Sequence, residues 1–193
     1  MSGTRRVAPP YELLPEARLR AVRSGPELTE ISVRIEVVTP ILGGAAVPRT
    51  ADEIDAIRTA TVRGHLRFWW RTLSAHGHRN PEELYRREAA LWGRAAADEG
   101  GRSAVELRVA VEQTGKLDSS EIRLYDSKAG SATPGAYALW PAREEQRESL
   151  PTAPRRMLGT RFLLTLLTPS VDVKEVENVV RAWLLFGGYG SRT

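Results

Sequence analysis

The sequence predicts an α+β fold, and three observations lead to it. Residues 31–38 and 104–111 alternate apolar and polar side chains, the pattern of half-buried strands. Residues 61–77 and 172–186 instead carry apolar residues at helical spacing, the pattern of helices packed on one face. The elements follow one another as strand, helix, second helix, strand, irregular stretch, strand, helix and Gly-rich turn. That order is the βαββα part of a split-βαβ, ferredoxin-like (RRM-like) unit, without its closing strand.

In the first strand, ISVRIEVV, Ile31, Val33, Ile35 and Val37 point one way and Ser32, Arg34 and Glu36 the other. Thr39-Pro40 ends it, because proline lacks the ladder donor. In the first helix, TVRGHLRFWWRTLSAHG, the residues Val62, Leu66, Trp69, Trp70 and Leu73 form one apolar stripe. Trp69 sits in its middle and reads as core, while Trp70 lies at its edge. Arg63, Arg67 and Arg71 repeat at i, i+4 and i+8 beside it. Asn80 then caps a helix over 81–92, with Pro81 at its first position, Glu82 and Glu83 in its positive first turn, and Gly93 as its stop. The third main strand is 160–168, TRFLLTLLT, and Ser170 or Asp172 is expected to cap the last helix. Residues 112–159 are the least regular part; EIRLYD (121–126) and AYALW (136–140) read as short strands within an insertion. Residues 1–30 read as an arm with one helical turn near Pro15–Arg23, and 31–193 as the domain. The chain looks cut short before its last strand.

Composition excludes several function classes. The 193 residues suffice for a core without staples. There is no cysteine, so disulfides, thiolate nucleophiles and Cys-ligated metal sites are out. No run of 18 apolar residues would span a membrane and the N-terminus lacks an apolar signal region, which fits a cytoplasmic protein. The net charge is +4 and only three of the 28 basic residues are Lys. Arg58 to Arg94 holds eight Arg against three acids, a local excess above that of the whole chain. A basic patch beside aromatics is the electrostatic footprint of a nucleic-acid binder.

Three segments are candidates for chemistry. On the first helix, Arg63, Arg67 and Arg71 would contact phosphates and Trp70 would stack on a base; the same pattern also suits an amphipathic helix with a solvated Arg face. In LLFGGYGSRT (184–193), the turn Gly187-Gly188-Tyr189-Gly190 with Arg192 would let a phosphate backbone approach, or would simply end the helix with Gly187 or Gly188 in the left-handed region. PILGG (40–44) shapes a binding loop or a plain turn. His65, His76 and His78 invite an acid–base role, but no partner is fixed by spacing. Neither a cofactor nor a metal site is expected.

TPILGG (39–44), IRTATVRGHLRFWWR (57–71), EAALWGR (88–94) and LLFGGYGSRT, in this order, resemble the RAMP superfamily of CRISPR effector proteins, and within it the first RAMP subunit of the type III-B (Cmr) complex. The resemblance covers 31–94 well and 160–193 moderately. It implies a ferredoxin-like RNA-recognition fold and a non-catalytic subunit in antiviral defence. The implied partners are guide RNA, target single-stranded RNA and other Cmr RAMP subunits. It further implies a second RAMP domain beyond these residues. By position, Arg58, Arg63, Arg67 and Arg71 with the Gly187–Arg192 loop become the RNA-facing set. Two alternatives stand beside this reading: a metal-independent CRISPR endoribonuclease with His65 or His76 as base, and an architectural subunit whose basic face docks an acidic partner.

Overall fold

A computed structural model describes residues 27–94 and 100–189. The elements in chain order are β1 (Leu28–Val37), β2 (Ile41–Leu42), α1 (Thr59–Ser74), α2 (Pro81–Trp92), β3 (Glu106–Gln113), β4 (Leu117–Asp118), β5 (Tyr125–Asp126), β6 (Ser131–Ala132), α3 (Ala136–Leu139), β7 (Arg155–Arg156), β8 (Thr160–Pro169) and α4 (Val173–Phe186). The helical turn expected near Pro15–Arg23 lies outside the described residues.

The main sheet has the order β1-β8-β3, antiparallel throughout. Its inner face is built from cross-strand rows, because alternation puts every second residue on one side. Ile31, Leu166 and Leu107 make one row; Val33, Leu164 and Val109 make the next. The central strand gains most from this arrangement: Phe162, Leu164 and Leu166 are fully buried. Helices α1 and α4 cover the inner face with Val62, Leu66, Trp70, Val176, Val179 and Trp183. The outer face carries Ser32, Thr165 and Arg108 in one row and Arg34, Leu163 and Ala110 in another. It has no aromatic side chain, so it is not a base-stacking platform of the RRM kind.

Helix α2 forms as its termini dictate. The Asn80 side chain accepts from the Glu83 amide at 2.9 Å, and Glu83 in turn accepts from the Arg79 amide at 3.0 Å. Helix α4 departs from expectation, since no side chain caps it. Asp172 is engaged by Arg87 at 2.8 Å and Ser170 bonds the Glu27 carbonyl at 3.1 Å, so a short 3-10 turn leads into the helix instead.

The insertion is more ordered than its composition suggests. β2, β7 and β4 form a small sheet, and Leu42, Ile122, Ala142 and Ala153 form a second core beneath it. Its buried cations are satisfied. Arg155 pairs with Asp118 at 2.9 Å, and Arg156 donates to the Gly115 and Asp52 carbonyls. Arg49 holds the segment from outside through the Pro141, Arg143 and Pro151 carbonyls. Of the two strands expected here, EIRLYD pairs only at Tyr125–Asp126, in a hairpin with β6. The other, AYALW, is the short helix α3; Gly135 at φ 78° turns the chain, and Ala and Leu then favour the helical state.

Gly115 marks a close passage of two segments of the insertion. A Cβ there would stand 2.1 Å from the Met157 carbonyl oxygen. We expect Gly115→Ala to destabilise the protein by about 1–3 kcal/mol, the usual cost of overpacking. Urea unfolding measures it, and an unchanged midpoint would contradict the close approach.

Candidate nucleic-acid interface

Helix α1 presents its arginines as the spacing predicts, but its indoles are exchanged. Trp70 is fully buried, and its Nε1 donates to Glu175 Oε1 at 2.5 Å. Trp69 is only partly buried, between Phe68 and Phe186. Leu73, placed in the apolar stripe, is 37% exposed. The helix phase buries Trp70 completely, while Trp69 packs against the edge of the core. Trp70 therefore has no face on which a base could stack.

The guanidinium groups are held from inside the fold. Glu88 of α2 is only 4% exposed. Its Oε1 accepts from Arg67 Nε and from Arg71 Nη1, both at 2.7 Å. One carboxylate cannot neutralise two guanidiniums, so the cluster keeps a positive charge. Both arginines remain partly open to solvent, 31% and 45% for their side chains, and each has donors left over. Arg63 makes only a long contact to the Trp92 carbonyl, 3.5 Å, and has no acidic partner among the described residues.

Beside Arg63 and Arg67 lies a shallow pocket of about 230 Å³, closed by Arg94, Gly93, Gly101 and Ser103. The turn that makes it requires glycine. Gly93 has φ 79°, and a Cβ there would stand 2.8 Å from the Ser103 amide nitrogen. Ser103 Oγ donates to the Val105 carbonyl at 2.6 Å and lies 3.2 Å from the Leu91 carbonyl, fixing the far wall. Three guanidinium groups around a backbone-lined hollow suit a phosphate.

Arg58 sits apart from this cluster. It pairs with Asp52, whose carboxylate also accepts from the Asp55 and Ile54 amides. The Asp55 amide first, then the Arg58 guanidinium and the Ile54 amide, hold the Asp52 carboxyl at about 2. In the Gly-rich segment, Gly187 is extended (φ −94°) and is not left-handed. Glycine is needed there for space, since a Cβ would meet Trp183 Cδ1 at 2.5 Å and Trp69 Nε1 at 2.8 Å. Trp183 Nε1 donates to the Gly188 carbonyl at 3.2 Å. The Tyr189 hydroxyl accepts from the Arg58 amide at 2.9 Å, and its ring packs edge-on to His65. Burial raises the Tyr189 hydroxyl pKa. The tyrosine thus latches the turn to the start of α1. Gly190 and Arg192 lie outside the described residues.

The histidines do not assemble into an acid–base pair. His65 packs on Trp183 and Tyr189, with a buried Nδ1 lacking a partner and a pKa lowered by burial. His76 is exposed on the 3-10 turn, eleven residues on, about 16 Å along the helix direction. His78 packs against Trp70. No group of three or more His, Asp or Glu is placed to hold a metal among the described residues. No described helix is long and apolar enough to cross a membrane.

Sequence reasoning missed Glu88 as a working part. Its signal was present: a carboxylate at helical spacing from Leu84, Leu91 and Trp92, on the face that must be buried.

Two outcomes follow from this geometry. Glu88→Gln removes the charge that two guanidiniums share, and should cost about 3 kcal/mol, the low end for breaking a buried pair because the arginines are partly solvated. Denaturant unfolding tests it; a loss below measurement error would mean that the carboxylate is not needed. Asp52 should titrate near 2 by carboxyl-carbon NMR, against an ordinary value of 3.8. Its folded pKa is depressed, so its contribution is complete above pH 3.8 and disappears as pH falls through 2. A midpoint at the ordinary value would mean that the Asp55 amide and Arg58 contacts are not made.

A family model described as RAMPs, the RAMP superfamily, matches residues 34–193. The fold resembles the crystal structure of Cmr1 from Pyrococcus furiosus in its apo form, with a TM-score of 0.53 and 18% identity. The match covers 85% of this chain and 45% of that one, so the chain spans less than half the length of that relative. No curated protein sequence matches the chain. With that family model matching most of its length, the chain belongs to the RAMP superfamily.

Proposed function

We propose that the protein is a non-catalytic, RNA-binding subunit of a type III-B (Cmr) CRISPR interference complex, engaging guide or target RNA in antiviral defence. The observation that carries this reading is the Glu88-held pair Arg67 and Arg71 beside Arg63, which has no acidic partner among the described residues. Arginines locked by a buried carboxylate lose little freedom when a phosphate arrives, and the backbone hollow at Gly93 gives it room. The contact set is revised from the one read in the sequence. Arg63, Arg67, Arg71 and Arg94 hold the strand, while Trp70 and Tyr189 shape the fold behind it. Subunit contacts are supported by an apolar ridge on the helical layer, where Phe68 is 56% and Phe186 is 73% exposed on either side of Trp69. The RAMP family match and the likeness to Cmr1 support the assembly.

Single-stranded RNA binding by the full-length protein tests the reading. Arg63→Ala leaves the Glu88 pair intact, and should weaken binding by roughly tenfold while flattening the salt dependence by about 0.7 in slope, one phosphate contact on a single strand. Equal affinity and equal slope in both proteins would remove this face as the RNA site.

A further inference from the structure

A wide cleft lies outside the arginine cluster. It has a volume of about 820 Å³ and is formed by the β5–β6 hairpin and the segment after α3. A cleft of that size is ample for a nucleotide-sized ligand, for which roughly 300–1,000 Å³ is usual. Its charges cancel: Arg123, Lys128 and Arg143 face Glu121, Asp126 and Glu144. A polyanionic backbone gains little from such a wall, unlike the wall around Arg63 and Arg67. A flat neutral group with donors and acceptors on its edge gains much more. Carboxylates accept from exocyclic amines, and guanidinium or ammonium groups donate to ring nitrogens and carbonyls.

The side chains are placed for this. Tyr125 is 61% exposed at the cleft, and its side chain makes no hydrogen bond or ring contact among the described residues. Its backbone is fixed, because it pairs with Ala132 and the Asp126 carboxylate closes the hairpin turn through the Lys128 and Ala129 amides. Arg143 is held in one orientation, its guanidinium 3.9 Å from the Trp140 ring centroid and bonded to Glu145 at 2.7 Å. Arg123 is 81% exposed and makes only a long 3.9 Å contact with Glu121. Glu144 lines the same wall.

The geometry points to this cleft as a nucleobase site. An unpaired base of the bound strand stacks on Tyr125, and its edge is read by Arg123 and Glu144. The site deepens the RNA-binding reading and rests on it: the arginine cluster takes the phosphates, and the insertion takes a base.

The test separates bases from phosphates. A short single-stranded RNA and the same RNA with abasic sites carry equal charge. The wild-type full-length protein should prefer the intact strand by roughly tenfold, the worth of one stacked base. Tyr125→Ala should abolish that preference and leave the salt slope unchanged, and Tyr125→Phe should keep it. A 4-thiouridine strand should crosslink within residues 121–128 or 143–144. A preference that persists in Tyr125→Ala overturns the base site, although salt-dependent binding would still uphold the arginine cluster. Absence of salt-dependent binding by wild type overturns both. A Tyr125→Ala protein that binds RNA normally but loses a partner subunit overturns the base site as well, and makes the cleft a protein contact.

Discussion

The buried Glu88 carboxylate is the constraint around which the candidate interface is arranged. It projects from the inward face of α2, where a charge has no solvent and must be paired. Two guanidiniums from successive turns of α1 meet it. That bond set fixes the separation and roll of α1 against α2. It also carries the arginines to the surface in one orientation, so a group that would cost stability if left alone becomes the support of a positive surface.

A second bridge fixes the third helix of the layer. Glu175 of α4 accepts from Trp70 of α1 and from Arg87 of α2. Trp70 is buried whole with its indole N–H paired to this acceptor, so its burial leaves no orphaned donor. Its burial sets the phase of α1, and that phase directs Arg63 and Arg67 to the Gly93 hollow and away from the sheet. The Tyr189 latch acts at the other end of α1, where no side chain caps the helix and a tyrosine hydroxyl takes the Arg58 amide. The positive ridge is therefore held from three directions by the core.

The insertion shows a different economy of forces. Its strands are two residues long and its core has only four buried side chains, two of them alanine, too little to stand alone. Arginines replace apolar bulk: Arg49 and Arg156 each reach two or more carbonyls and join the segment to the loop after β1, while Arg155 ties Asp118 and Ser120 together. The outer wall is thereby left open to display Tyr125 and the mixed charges of the cleft.

The sequence by itself determined the strands of the main sheet, the two long helices of the domain and the capped start of α2. Each is written in a local period or a local hydrogen bond, and periods of 2 and 3.6 survive in any context. It also determined that the basic charge concentrates on α1. Only the tertiary structure decided which indole is fully buried, because Trp69 and Trp70 differ by a 100° turn that α4 and Glu175 settle from outside the helix. Only it revealed the role of Glu88, whose partners are 17 and 21 residues away. The pairing of β2, β4 and β7 was equally hidden, since its buried Arg155 and Arg156 are satisfied only by Asp118, Ser120 and carbonyls brought in from elsewhere in the chain. Local pattern fixes what an element is; the partners that satisfy a buried charge come from far along the chain, and so does the direction in which that element faces.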